Sequence, residues 1–139
     1  MNFTIEELCH TDTKILNIPN SIQRNNLQLL IEEILQPLRE GIGAPININS
    51  GFRCSKLNNF VKGSSTSQHL YGQAADITTK DMKSAFNFIK EKLPFDQLIW
   101  ENGSDSQPDW IHVSYSNRNR KQVLRKFKGK SGYHPFSYQ

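Results

Sequence analysis

The chain has 139 residues, 36% hydrophobic and 22% charged, with a formal net charge of +4 and two cysteines. That length suits one domain over residues 1–139 with a real core. No run approaches the roughly eighteen apolar residues of a membrane span, and Cys9 and Cys54 are too few for a disulfide framework, so free thiols are expected.

Phe3 to Leu8 predicts a short helix or turn, with Thr4 capping and Glu7 three residues on, as in a capping box. The opening Met1-Asn2-Phe3-Thr4 has neither a basic start nor an apolar block, which predicts synthesis in a cytoplasm without a secretory signal. After a polar loop ending at Pro19-Asn20, the residues Ile22, Leu27, Leu30, Ile31, Ile34, Leu35 and Leu38 recur at helical spacing. They predict one long amphipathic helix, kinked or tightened at Pro37 and stopped by Gly41 and Gly43. Pro45 to Ser50 alternates Ile46 and Ile48 with Asn47 and Asn49, the period of a strand with one buried face. Gly51-Phe52-Arg53 turns out of it, and Ser55 to Val61 predicts a small helix with Gly63 as its stop.

A polar loop, Ser64 to Ser67, leads to a strand over Ala74 to Thr78. Asp81 opens a helix that runs to Leu93 and is closed by Pro94. Gln97 to Glu101 and Trp110 to Tyr115 predict two strands joined by a turn-rich connection, hence an antiparallel pair, and Gln122 to Phe127 a last strand. The order predicts an α+β domain, with helices on one face of a mostly antiparallel sheet. From Ser116 to Gln139 the charged residues are all basic: Arg118, Arg120, Lys121, Arg125, Lys126, Lys128 and Lys130. Such a run is either a solvated terminal segment or the footprint of an anionic partner such as a cell-wall polymer. Without an aromatic-basic platform or recognition-helix pattern it does not point to specific nucleic-acid binding.

Chemistry concentrates in two runs, Ser67-Gln68-His69-Leu70-Tyr71-Gly72-Gln73-Ala74-Ala75-Asp76 and Asp109-Trp110-Ile111-His112. Taken singly, a histidine in a strand is ordinarily a core or surface residue, and Asp76 is equally at home as a turn or capping aspartate. Jointly, His69, Asp76 and His112 are a sufficient donor set for one zinc ion that keeps a position open for water. A tight turn at Gly72 brings His69 and Asp76 toward the same ion, and Trp110, His112 and Ser114 share one strand face. Asp109 lies an odd number of positions from His112. Pro108 predicts a chain still turning there, which leaves that carboxylate available as a general base.

The spacing Ser67-x-His69-x-x-Gly72-x-Ala74-x-Asp76, then Asp109-x-x-His112, resembles the zinc D-alanyl-D-alanine carboxypeptidases and murein endopeptidases, including compact bacteriophage cell-wall peptidases. Ile46 to Arg53 also resembles that family's strand ending in Ser-Gly-aromatic-Arg. The resemblance implies His69, Asp76 and His112 as the ligands of one Zn²⁺ per chain and Asp109 as catalytic base. It implies Arg53 as a catalytic and substrate-binding cation and Ser67 as a substrate contact. Some members carry a histidine two residues before the catalytic carboxylate, where this chain has Gln107.

The function so implied is hydrolysis of stem or bridge peptides in bacterial peptidoglycan by a monomer. It would act at the wall after release by a lysis partner or from a virion, and the basic C-terminus would meet anionic wall polymer. No membrane or specific nucleic-acid partner is expected. The alternatives are a D,D-carboxypeptidase or dipeptidase acting on small D-Ala-D-Ala precursors, and a non-catalytic wall-binding or tail-assembly module of the same fold.

Overall fold

The computed structural model describes residues 1–136; positions 137–139, the end of the basic run, lie outside the described residues. Six strands, β1 (Ile46–Ser50), β2 (Ala74–Thr79), β3 (Gln97–Glu101), β4 (Trp110–Ser114), β5 (Gln122–Lys126) and β6 (His134–Pro135), form one sheet in the order β1-β2-β4-β3-β5-β6. Every neighbouring pair is antiparallel except β3 and β5, which are parallel. The expected α+β architecture with a mostly antiparallel sheet is the one observed. The strand expected to be the last, β5, stops at Lys126, one residue short of Phe127, and the two-residue β6 that follows it carries no periodicity by which it could have been read.

Strand alternation divides the sheet into two faces. Ala75 and Ile77 of β2, Leu98 and Trp100 of β3, and Ile111 and Val113 of β4 enter the hydrophobic core. Asp76, Ile99, Glu101, Trp110 and His112 take the alternate positions, which line an open cavity. The core is completed by the helices α2 (Ser21–Leu30), α3 (Gln36–Ile42) and α5 (Met82–Lys92), through Leu27, Leu30, Leu38, Ala85, Phe86 and Ile89.

The long helix is continuous but changes pitch: between α2 and α3 lies a π turn, Ile31–Leu35, in which the Gln36 N–H donates to the Ile31 carbonyl. Pro37 explains this, because its ring would clash with the carbonyl four residues earlier and it has no N–H to offer; a widened turn accommodates both. Ile34 and Leu35 remain wholly buried. Gly43, in the left-handed region at φ 64°, closes the helix, whereas Gly41 lies inside it, where a Cβ would run into the Phe88 ring. Ile22, counted in the apolar stripe, is 70% exposed and lies outside the core.

The short helix α1 (Ile5–Leu8) forms as expected, with Thr4 Oγ1 accepting from the Glu7 N–H at 3.1 Å. It brings Leu8 against the end of β1, where the Phe52 N–H donates to the Leu8 carbonyl at 2.7 Å. A small helix, α4 (Ser55–Phe60), and a 3₁₀ turn, Gln68–Tyr71, complete the cavity side. Cys9 and Cys54 are free thiols. Among the described residues, no helix is long and apolar enough to cross a membrane.

Candidate metal centre

His69 sits in the 3₁₀ turn, whose start and stop are both fixed by local chemistry. Ser67 Oγ accepts from the His69 N–H at 3.2 Å, and Gly72 leaves the turn at φ 73°, a left-handed conformation that glycine adopts freely. The turn is seated on α2, where Gln23 Nε2 donates to Leu70 O at 3.0 Å and Asn26 Nδ2 donates to Tyr71 O at 2.9 Å. Asp76 and His112 are direct partners across β2 and β4, so strand pairing alone sets their side chains side by side on one face.

The ligand atoms of His69, Asp76 and His112 lie within 4.8 Å of one another. Asp76 Oδ1 is 3.3 Å from His69 Nε2 and 3.0 Å from His112 Nδ1. The two rings stand edge to face, 5.1 Å between centroids. The remaining ring nitrogen of His69, Nδ1, donates to the Gly51 carbonyl at 2.7 Å, which fixes the tautomer and leaves Nε2 with its lone pair toward Asp76. Nε2 is buried without a hydrogen-bond partner. A buried imidazole nitrogen pinned by its other nitrogen, left unsatisfied, and set beside an anion and a second imidazole is what a divalent cation would complete. The donor chemistry suits zinc, which takes imidazole nitrogen and carboxylate oxygen together. Burial alone would raise the Asp76 carboxyl, but the two neighbouring imidazoles outweigh it, His112 by a hydrogen bond at 3.0 Å, and hold it well below the ordinary carboxylate range.

The group lies in a cavity of about 800 Å³ that is also lined by Arg53, Ser67 and Glu101. The Arg53 N–H donates to the His69 carbonyl at 3.0 Å, and its side-chain Nε is buried without a partner. Burial lowers the Arg53 pKa and the nearby Asp76 carboxylate opposes that shift; guanidinium remains charged at any working pH. Further cationic lining comes from Lys62, Arg118 and Arg120.

The structure therefore brings together His69, Asp76, His112, Arg53 and Ser67. Asp109 stands at the entry to β4. It is a bend ahead of that strand, as Pro108 predicts, and its N–H donates to the Glu101 carbonyl at 2.9 Å. The Asp109 side chain is exposed and is not among the residues that line the cavity, and Gln107 is exposed in the same loop.

Besides Asp76, the cavity is lined by two carboxylates, the exposed Asp12 and the buried Glu101, which is 8% exposed. Its pKa is raised, first by burial and also by Asp76, against the opposing pull of His112 and Lys126. The Trp110 N–H favours its ionised form, although Nε1 has no partner of good geometry. Tyr133 reaches the same cavity from beyond β5, its hydroxyl pKa raised by burial and by Glu101.

A second buried carboxylate braces the site from behind. Asp96 accepts from Arg120 Nε at 2.8 Å and Nη2 at 3.1 Å, from the Arg120 N–H at 2.9 Å, and from Gln68 Nε2 at 2.9 Å. It ties the connection into β5 to the turn that carries His69. Nothing in the sequence marked it, since its partners lie 24 and 28 positions away.

Fold and site first define a class: a domain with one mononuclear His, Asp, His metal centre held on an antiparallel sheet at the floor of an open, cationic cavity. Over residues 1–114 the chain matches the family described as Peptidase M15, and it belongs to that family. Along 80 residues it is 38% identical to the zinc D-Ala-D-Ala carboxypeptidase of Streptomyces albus G; the alignment covers 55% of this chain and 31% of that relative. The chain thus spans about a third of that relative's length. Zinc is the metal for which its own donor set is built.

Proposed function

We propose that this domain is a zinc peptidase that hydrolyses peptide bonds within bacterial peptidoglycan peptides. The observation that carries the reading is the buried, unpartnered Nε2 of His69, pinned through Nδ1 to Gly51 O and facing Asp76 and His112 at the floor of the cavity. Zinc bound there supplies a Lewis acid that polarises the scissile carbonyl and brings the pKa of water toward neutrality. The protein's own groups do the remaining work. Gly51 and Asp76 orient the two imidazoles, and Arg53 offers a guanidinium to the carbonyl oxygen as negative charge develops, or to a substrate carboxylate. Ser67 holds the His69 turn and borders the path of a bound peptide. An open cavity that offers Arg53, Lys62 and Arg118 fits an extended peptide bearing carboxylates better than a neutral one.

The family and the Streptomyces relative favour a second reading, release of terminal D-alanine from soluble precursors. Incubation of zinc-loaded protein with purified peptidoglycan and, separately, with a soluble peptide ending in D-Ala-D-Ala, followed by mass spectrometry, distinguishes the two. Internal stem or bridge fragments are expected from the wall. Terminal D-alanine alone, from the soluble peptide alone, would establish the second reading, and no product from either would reject peptidase activity. Release from a host by a lysis partner, or carriage on a virion, belongs to the same proposal and is tested by whether the protein clears intact cells only after their membrane is permeabilised.

A further inference from the structure

We propose that Asn58 is a positioning residue whose side-chain carbonyl holds the Arg53 guanidinium toward the metal group, across a space that a glycine at position 63 leaves open. The inference rests on the peptidase reading above, which gives Arg53 its task. Three observations carry it.

The first is an unmatched acceptor. Asn58 is 2% exposed, and its Nδ2 donates to the Ser64 carbonyl at 3.0 Å, which fixes the orientation of the amide. Its Oδ1 is turned away from that bond and is buried without a hydrogen-bond partner. A buried carbonyl in that condition is costly, and native folds rarely keep one without a use for it. Asn58 is not among the residues that line the cavity, so its carbonyl serves a group inside the wall rather than a ligand.

The second is the space at Gly63. A Cβ there would collide with Asn58 Oδ1 and stand 2.6 Å from Arg53 Nη1. The acceptor and the guanidinium therefore border one small space from two sides, a carbonyl facing a fork of N–H donors. The Gly63 N–H donates to the Asn58 backbone carbonyl at 2.8 Å, which keeps the glycine in that place.

The third is that Arg53 has no competing anchor. Its backbone N–H donates to the His69 carbonyl at 3.0 Å, but none of the close ion pairs among the described residues includes its side chain, and Nε is buried without a partner. The ionisable groups that act on it, Asp76 and Tyr133, both line the cavity. A neutral acceptor on the Gly63 side holds the guanidinium without neutralising the charge that a substrate would meet.

The test is a double-mutant cycle in the full chain: Asn58→Ala, Arg53→Ala and the two together. They are compared by metal content, thermal melt, rate of fragment release from purified peptidoglycan, and the NMR signal of the Arg53 Nε–Hε group. Asn58→Ala should keep one zinc per chain, lose about 10–100-fold of the turnover, and shift or broaden the Arg53 signal. In the Arg53→Ala background it should change turnover by less than about threefold, because the acceptor then has no guanidinium to hold. Gly63→Ala fills the same space and should behave likewise in both backgrounds, which decides the question if Asn58→Ala fails to fold. Asn59→Ala, at the exposed neighbouring position, should leave both turnover and the Arg53 signal unchanged. Losses that multiply in the double variant, Asn58→Ala turnover within about threefold of the parent, or an unmoved Arg53 signal would each overturn the proposal. If the parent protein releases nothing from wall or precursor, the peptidase reading fails, and the Arg53 signal still decides whether Asn58 holds the guanidinium.

Discussion

His69 illustrates how one side chain's orientation is secured from three directions. Its N–H is held by Ser67, its Nδ1 by Gly51 O, and its turn by Gln23 and Asn26 of α2. Replacing His69 or His112 with alanine should abolish stoichiometric zinc binding, measured by metal analysis after dialysis. Gly51 is the more searching position. A Cβ there would collide with the Leu8 backbone, so Gly51→Ala should cost about 1–3 kcal/mol of stability by overpacking. Because the displaced carbonyl is the partner of His69, zinc affinity should fall by about 10–100-fold, as for other outer contacts of a metal ligand. Competition titration against a chromogenic chelator, alongside urea unfolding, reads both; unchanged affinity would show that the carbonyl does not orient the ring. Arg53→Ala should lower turnover by about 100–1,000-fold while the melt changes little, the signature of a group that stabilises developing charge.

At this scale the ligands were legible because their spacing is a constraint written along the chain. The place of Glu101 in the cavity wall was not, since it depends on which residue faces it. The hairpin register could have supplied that: pairing Glu101 with Trp110 puts it on His112's face.

Among the elements, the connection from β4 into β5 is the least expected and the most dependent on one residue. It passes the start of β3, where the Lys121 N–H donates to Phe95 O, the Gln122 N–H to Asp96 O, and Arg120 grips the Asp96 carboxylate in two places. Arg120→Ala should destabilise the fold by about 2 kcal/mol. The expectation lies below the roughly 3–5 kcal/mol of a fully buried pair because Arg120 is 38% exposed and solvent screens it.

The same brace fixes a pH dependence. Burial opposes ionisation of Asp96, but hydrogen bonds from Arg120 outweigh it and hold the folded pKa far below the unfolded value of about 3.9. A depressed carboxyl stabilises the fold above the unfolded pKa, and that contribution is lost as pH falls through the folded pKa. Denaturation midpoints of wild type and Asp96→Asn should therefore differ by a constant amount near neutrality, begin to converge only below about pH 4, and meet as pH falls through the folded pKa; parallel curves down to acid would count against the brace. Helix and strand positions were readable from periodicity. The π turn and the parallel β5 were not, because Pro37 can be absorbed in several ways and a strand's neighbours are decided by what else competes for the sheet edge.

For the whole molecule, the basic C-terminal run proves heterogeneous. Arg125 is 4% exposed, with its guanidinium 4.7 Å from the Phe127 ring centroid and 5.6 Å from that of Trp100, and Lys126 Nζ donates to the carbonyls of Phe127 and Lys130. Arg120 is committed to Asp96. The sum of charge along the segment therefore overstates what it presents to an anionic wall polymer, and Arg118, Lys121 and Lys128, all exposed, are the residues to neutralise in testing that contact by sedimentation with purified wall. Zinc itself should stabilise the fold: at a free concentration of 100 times its Kd it adds about 2.7 kcal/mol, read as a rise in melting temperature reversed by chelator.

The pairing of Asp76 with His112 carries a kinetic consequence. Those residues are 36 positions apart, so their strands pair only once the long segment between them has closed. Contacts of such long sequence separation come late in folding, since loop closure must precede them. Interactions absent from the transition state act on the unfolding limb. Stopped-flow measurements should accordingly find zinc leaving the refolding rate nearly unchanged and slowing unfolding. The metal centre would then act as a latch on a fold that has already found its topology, lengthening the life of the native state without guiding the chain toward it.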